Sequence, residues 1–250
     1  MKISVIMPVY LGEYPGCASD RVRKFQRAVK SFDLQTYIQK ELIIVCDGGW
    51  DEIKKALEPL FILNKDKITF IEIEKQHLFS GNVRNEGLKV ATGDIICYLD
   101  SDDFFGRNHL MNIADNFPAD CQWVHFNDYV SLLNGDIICR NVFPYYGKIG
   151  TSSIAHRRSI GNWKGCDGYG HDYLFIENLC ILKTKRYGAA NIMCATCQEV
   201  LIHKKKEVYT SFFISLKLVL FASIPRCNKC TFRRVLITFL GYVSCVIQLY

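Results

Sequence analysis

Residues 94–103 read DIICYLDSDD, a run of strand-forming residues that ends in Asp100-Ser101-Asp102-Asp103. A buried strand ending in three closely spaced carboxylates places hard anionic oxygens at a sheet edge, where open α/β sheets bind ligands. Like charges this close repel, and a cation between them relieves the repulsion. Two carboxylates with phosphate oxygens and waters make the open oxygen shell that Mg²⁺ or Mn²⁺ accepts. A solvated acidic turn is the competing explanation, and the sequence around the motif decides between the two.

Upstream, KISVIMPV at 2–9 is a continuous apolar run closed by proline, the pattern of a strand covered on both faces. Asp20 is placed to cap a helix in which Val22, Phe25, Val29 and Phe32 recur at helical spacing. ELIIVCD at 41–47 is a second buried strand, followed by a short helix over 51–63 and an alternating strand, ITFIEIE, at 68–74. Ser80 is expected to cap the next helix, with Val83, Gly87 and Val90 on its inner face and Gly93 at its end. Repeated strand–helix units predict an α/β fold: a mostly parallel, Rossmann-type central sheet flanked by helices.

Beyond residue 104 the pattern changes. Strands at about 121–128 and 136–143 flank the hairpin signal Asn134-Gly135. A Gly-rich aromatic stretch fills 145–171, a helix is predicted from Asp172 to about Leu182, and a strand over 191–202 ends at His203. His156, beside Arg157 and Arg158, reads as a solvated basic face or a phosphate contact. With no linker and no internal repeat, the halves 1–104 and 105–206 are expected to share one sheet.

The chain has 250 residues, 49% hydrophobic and 22% charged, with a net charge of +6. That charge is uneven: residues 183–250 carry 11 basic and 2 acidic side chains, against 20 and 23 in residues 1–182. The segments 208–224 and 235–250 are strongly apolar but shorter than the roughly 20 residues a spanning helix needs. Residues 207–250 are therefore expected to form an apolar, basic helical extension that meets an anionic membrane surface rather than nucleic acid.

Most of the twelve cysteines sit in apolar runs, as Cys46, Cys97, Cys139 and Cys245 do, and no signal peptide is recognised before the first strand. Both features predict reduced thiols and a cytoplasmic location, peripheral on the inner face of the plasma membrane. Cys194-x-x-Cys197 and Cys227-x-x-Cys230 have zinc-pair spacing, but the first pair falls in a predicted strand and an apolar helix separates the two, so zinc is the weaker reading.

The strand ends carry related chemistry. Pro8 and Tyr10 close the first strand, Asp47 closes the second, Arg84 and Asn85 open a helix, and Asp100 and Asp102 follow the fourth strand. A planar base against the first strand's end, with Asp47 accepting its ring N–H, leaves Arg84 for a diphosphate or its sugar and the carboxylates for a metal.

Here the chain resembles the family 2 glycosyltransferases of the GT-A fold. The matching segments are SVIMPVY, RAVKSFDLQTY, ELIIVCDGGWDE, GNVRNEGLKVATGDIICYLDSDD and, more loosely, GCDGYGHDYLFIENL. The resemblance implies inverting transfer of a hexosyl group from a nucleoside-diphosphate sugar, of the UDP type, to a saccharide or lipid-linked acceptor in surface polysaccharide or glycolipid assembly. It places Pro8, Tyr10 and Asp47 at nucleoside-contacting positions, with Arg84, Asn85 and Asp100 near the diphosphate and sugar. It also implies a divalent cation, Mg²⁺ or Mn²⁺, on Asp100 and Asp102 with His203 completing the shell, and Asp172 as catalytic base. Two positions depart from the pattern: Asp-Asp-Gly-Ser becomes Cys46-Asp47-Gly48-Gly49, and Glu-Asp becomes His171-Asp172. A nucleotidylyltransferase is the enzymatic alternative, although Leu11-Gly12-Glu13-Tyr14 lacks the basic Gly-rich loop it needs. A non-catalytic nucleotide-sugar-binding protein is the other.

Overall fold

The apolar run near the N-terminus forms β1 (Ile3–Val9), and each of its residues is buried. In the computed structural model, which describes residues 1–14, 17, 19–75, 80–132, 136–163, 171–181, 189–192 and 196–199, β1 lies inside a seven-stranded sheet. On one side it pairs in parallel with β2 (Lys40–Asp47), which pairs in turn with β3 (Ile68–Ile73). On the other side it pairs in parallel with β4 (Ile95–Tyr98), so that Ile3 faces Lys40 and Ile95. The chain thus builds outward from β1 in one direction and returns to build in the other. Such a reversal opens a crevice at the C-terminal ends of the strands, here β1 and β4.

Alternation along each strand divides the core into two layers. Ile3, Val5, Met7 and Val9 join Leu42, Ile44 and Cys46 under α1 (Arg21–Asp33), α2 (Trp50–Leu57) and α4 (His109–Asn116). Ile6, Ile43 and Val45 face the opposite layer, which takes Val83 from α3 (Gly81–Val90) and Phe175 and Ile176 from α5 (His171–Ile181). Helix α3 lies unusually close to the sheet. A Cβ on Gly87 would come within 2.6 Å of Ile6 Cγ2 and 3.2 Å of Val45 Cγ2.

Several local expectations are corrected. Helix α2 stops at Leu57, not near 63, because Pro59, two residues on, has no N–H to continue the helical hydrogen bonds, although Glu58 itself keeps helical backbone. Val22 and Val90 lie off the buried stripes of their helices, at 47% and 44% exposure. Neither Asp20 nor Ser80 caps its helix through the side chain. Asp20 pairs instead with Arg23, and Ser80 Oγ accepts from Arg84. Cys46, Cys97 and Cys121 are buried free thiols, but Cys139 is exposed.

The second half contributes to the same sheet. The strand expected at 121–128 breaks at Asn127 into β6 (Trp123–Phe126) and β7 (Asp128–Ser131). β9 (Ile154–Arg157) runs antiparallel between β4 and β6. The single strand expected at 191–202 is two: β10 (Ala189–Ile192), parallel to β6, and β11 (Thr196–Glu199). β11 joins a four-stranded sheet with β5 (Phe104–Phe105), β7 and β8 (Ile137–Arg140). β7 and β8 form the expected antiparallel hairpin, whose Asn134-Gly135 lies outside the described residues. The fully buried Asp128 accepts from Arg140 Nε at 2.8 Å and from the Ser153 hydroxyl at 2.8 Å, tying this hairpin to the turn before β9.

Residues 1–200 form one compact unit, and 201–250, with His203 and the apolar extension, lie outside the described residues. The Cys194, Cys227 and Cys230 positions also lie outside them. Among the described residues, no helix is long and apolar enough to cross a membrane.

Candidate active site

β1 and β2 deliver polar groups at their C-terminal ends as the sequence suggests. Pro8 is buried within β1, and Tyr10 follows it, partly exposed. Asp47 ends β2 and is 7% exposed. After it, Gly48 and Gly49 adopt φ of +77° and +71°, values that glycine reaches without strain, and they turn the chain sharply into α2. Lys75, just past β3, was not singled out by any motif. Its Nζ lies 2.6 Å from Asp47 Oδ2 and 4.4 Å from the Tyr10 ring centroid. Pairing of Asp47 with Ile73 across β2 and β3 brings residue 75 to this place, so strand register was the signal that could have found it. Arg21 stacks over Tyr10 and Tyr14, at 5.7 and 4.7 Å. Aromatic faces flanked by two cations, one of them paired with Asp47, suit a flat ring that carries an anion. Cys46 packs into the core, and burial, with the charge of Glu72, pushes its thiol up to about 12. Position 46 therefore offers no acidic contact at the strand end.

Arg84 occupies the centre. It is 2% exposed, and its Nη2 donates to Asp100 Oδ1 at 2.6 Å. Nη1 donates to Ser80 Oγ at 2.6 Å and approaches His171 Nε2 at 3.4 Å. The guanidinium stacks over Trp163, 4.9 Å from the ring centroid. Asn85 engages the same tryptophan from the backbone side: its Nδ2 donates to Trp163 O and its Oδ1 accepts from Trp163 N, both at 2.8 Å. Asn85 thus anchors Trp163, which supports Arg84.

Beyond Asp100 the chain turns, with Asp103 N–H donating to Asp100 O at 3.0 Å. The three carboxylates part company here. Asp102 is exposed, while Asp103 points inward and accepts from the Ser152 hydroxyl at 2.6 Å. Burial raises the Asp103 carboxyl well above its ordinary value, and the charges of Asp102 and Asp100 raise it further. Arg27 fixes the turn from α1, donating to the Asp102 carbonyl at 2.6 Å. Asp100 and Asp102 thus remain as the oxygen donors of this turn, a type that suits a hard divalent cation, although Arg84 already pairs with Asp100. No group of three or more His, Cys, Asp or Glu side chains placed to hold a metal occurs among the described residues, and His203 lies outside them.

Asp172 lies in the first turn of α5. Its Oδ1 accepts from the Thr151 hydroxyl and lies 3.1 Å from His171 Nε2. Burial raises this carboxyl, but the hydrogen bond and charge of His171, with Arg84 and Thr151, outweigh that effect and hold it below the usual carboxylate value. It is therefore ionised at neutral pH and partly exposed, able to accept a proton. His156 is neither a basic face nor a phosphate contact. It is fully buried, pairs through Nε2 with the Tyr98 hydroxyl at 2.7 Å, and burial lowers it to about 4.

A parallel sheet with this switch point, an antiparallel β9 joining the second half, and carboxylates closing β4 define the GT-A glycosyltransferase fold. The chain belongs to glycosyl transferase family 2, whose profile matches residues 4–139, more than half of its length. Among its relatives, the UDP-Glc:alpha-D-GlcNAc-diphosphoundecaprenol beta-1,3-glucosyltransferase WfgD of Escherichia coli is 31% identical over 144 residues, 57% of this chain and 51% of WfgD. The succinoglycan biosynthesis protein ExoW of Rhizobium meliloti is 31% identical over 127 residues, covering 49% of this chain and 37% of ExoW. The chain thus spans about half or less of the length of the curated relatives it matches. Similar folds are those of S. aureus TarS 1-349, with a TM-score of 0.59 at 16% identity over 80% of this chain and 60% of TarS, and of the mannosyltransferase PcManGT from Pyrobaculum calidifontis, solved with GDP-Man and Mn²⁺. PcManGT aligns with a TM-score of 0.57 at 14% identity over 78% of this chain and 56% of its own.

Proposed function

We propose that the protein catalyses inverting, metal-dependent transfer of a hexosyl group from a nucleoside-diphosphate sugar to an acceptor hydroxyl. The observation that carries this reading is the central placement of Arg84, bonded to Asp100 on one side and next to the His171–Asp172 pair on the other. In this reading the nucleoside base lies near Pro8, Tyr10 and Asp47. Arg84 meets the diphosphate and the transferred sugar, and Asn85 keeps the Trp163 support beneath Arg84 in place. Asp172 takes the proton from the acceptor hydroxyl as that oxygen attacks the anomeric carbon from the face opposite the leaving group. A single displacement of this kind inverts the anomeric configuration. Asp100 and Asp102, with His203 in the third place, would hold Mg²⁺ or Mn²⁺. When bound, that cation would stabilise the negative charge developing on the departing diphosphate.

Support for a uridine donor comes from TarS, solved with UDP and with UDP-GlcNAc, and from WfgD, whose name specifies UDP-Glc. WfgD's GlcNAc-diphosphoundecaprenol and ExoW's succinoglycan favour a saccharide or lipid-linked acceptor in surface polysaccharide assembly. The basic, apolar segment 207–250 would then bring the site to such an acceptor at the cytoplasmic face of the plasma membrane, among anionic headgroups. A panel of UDP-, GDP- and TDP-sugars, scored by nucleoside-diphosphate release with Mn²⁺ or EDTA, tests the reading. Metal-dependent release from one sugar class is the expected result. No release from any donor, with or without a lipid-linked saccharide, would overturn it.

A further inference from the structure

His171 opens α5, and its single Nε2 lies 3.1 Å from Asp172 Oδ1 and 3.4 Å from Arg84 Nη1. Those two neighbours ask opposite things of the nitrogen. A protonated Nε2 donates to the carboxylate but sets an N–H against the guanidinium. A bare Nε2 accepts from the guanidinium but turns a lone pair toward the carboxylate. Trp163 lies 5.9 Å from the His171 ring at 55°, and its indole underlies Arg84. Among the described residues, the charged and titratable groups around this point include Arg84 from α3, Asp172 from α5 and Asp100 from the end of β4, which reaches it through Arg84. The Thr151 hydroxyl, on the turn before β9, holds the other side of Asp172.

We infer that His171 is a positioning residue that couples Asp172 to Arg84, and so couples the acceptor side of the site to the donor side. The inference rests on the glycosyl-transfer reading for its consequence but on geometry for its substance. A diphosphate that draws Arg84 toward its own oxygens leaves Nε2 to donate to Asp172, so the base is held most firmly once the donor is in place. A glutamate at 171 would do the reverse, taking Arg84 for itself and setting a like charge against Asp172.

The test uses the full chain with His171→Gln, His171→Ala and His171→Glu. Gln keeps an N–H donor of similar reach but does not titrate. One readout is the ¹³C NMR titration of the Asp172 side-chain carboxyl, assigned with Asp172→Asn, which needs no turnover. The other is transfer from UDP-glucose to a synthetic GlcNAc-diphospholipid. The Gln variant, which keeps the donor but not the charge, should raise the Asp172 midpoint by clearly less than Ala does and transfer within about threefold of wild type. Ala should raise the midpoint by about one unit and lower transfer at neutral pH by roughly tenfold, with KM for UDP-glucose within about twofold. Glu should raise the midpoint further. An Asp172 midpoint unchanged in the Ala and Glu variants, or shifted as much by Gln as by Ala, would overturn the coupling. Should Ala fail to fold, the Gln–Glu contrast decides alone. Wild-type protein that turns over no nucleotide sugar while the titration shifts as stated would leave the coupling standing and remove the glycosyl-transfer reading instead.

Discussion

Arg84 and Asp100 form an ion pair at 2.6 Å in which the cation is almost wholly buried and the anion is about one-third exposed. The pair clamps α3 to the end of β4 and engages one of the two carboxylates proposed to hold a metal. Mn²⁺ should therefore bind the free protein weakly, because Arg84 neutralises part of the field that attracts it. A diphosphate would supply both oxygens for the ion and a competing partner for Arg84. Calorimetric titration should show Mn²⁺ affinity rising at least about tenfold when UDP is present, an order of magnitude expected for one charge-assisted contact. Equal affinity with and without UDP would contradict this account.

Asp102 is the exposed member of the same turn. Asp102→Asn should leave the thermal midpoint within a degree or two and lower nucleotide-sugar turnover about a hundredfold or more, the loss expected on removing a principal electrostatic stabiliser. Turnover at the wild-type rate in this variant, or in EDTA, would show that the turn does not act through a metal.

At Asp172 the Thr151 hydroxyl can donate to an amide oxygen as readily as to a carboxylate. Asp172→Asn should therefore keep the fold and bind UDP within about twofold of wild type, while transfer to an acceptor falls by about a hundredfold or more. Parallel loss of UDP binding and transfer would instead make Asp172 a scaffold for the donor site.

Far from the chemistry, Glu41 gives the fold an acid limit. Burial raises its carboxyl, but hydrogen bonds from Lys2, Ser4 and Thr92 outweigh that and depress it to about 2. A carboxyl depressed on folding contributes stability that is complete above its ordinary value of about 4.5 and is lost as pH falls toward 2. For this largely buried group the contribution is of the order of 2 kcal/mol. Glu41→Gln should lower the midpoint at neutral pH and flatten its decline between about pH 5 and pH 2.5. An unchanged slope would assign acid sensitivity elsewhere.

Gly87 tests the seating of Arg84. A methyl group there would overlap Ile6 and Val45, so α3 must lift away from the sheet. Gly87→Ala should cost about 1 to 3 kcal/mol by overpacking, despite alanine's better helix propensity, and weaken UDP binding along with stability. Unaltered stability would mean that the helix shifts without strain.

The donor half was largely legible because its signals are local. Apolar runs long enough for strands covered on both faces, with acidic residues at their ends, gave β1, β2 and β4 nearly to the residue. What escaped were the non-local facts. Lys75 reaches Asp47 through the register of β2 and β3, which no residue near Lys75 announces. The split of 121–128 at Asn127 follows from two different sheets claiming consecutive segments, although the run itself reads as one strand. Asp103 looked equivalent to its neighbours until the Ser152 hydroxyl gave it an inward partner. His156 sits beside two arginines in sequence, yet the alternation of β9 turns it into the core.

β9 also acts as a ruler. The second-half strands β6 and β10 reach the donor half through it, by its pairing of Ala155, His156 and Arg157 with Cys97, Ile96 and Ile95. The Thr151 that holds Asp172 lies a few residues before those pairs, and Asp100 lies just after theirs. The offset between the two halves is thus quantised in strand steps of about 3.3 Å, and a one-residue slip would also turn His156 to the opposite buried layer, away from the Tyr98 hydroxyl. An inserted residue between Thr151 and Arg157 would therefore shift Thr151, and with it the hold on Asp172, by one such step relative to Asp100.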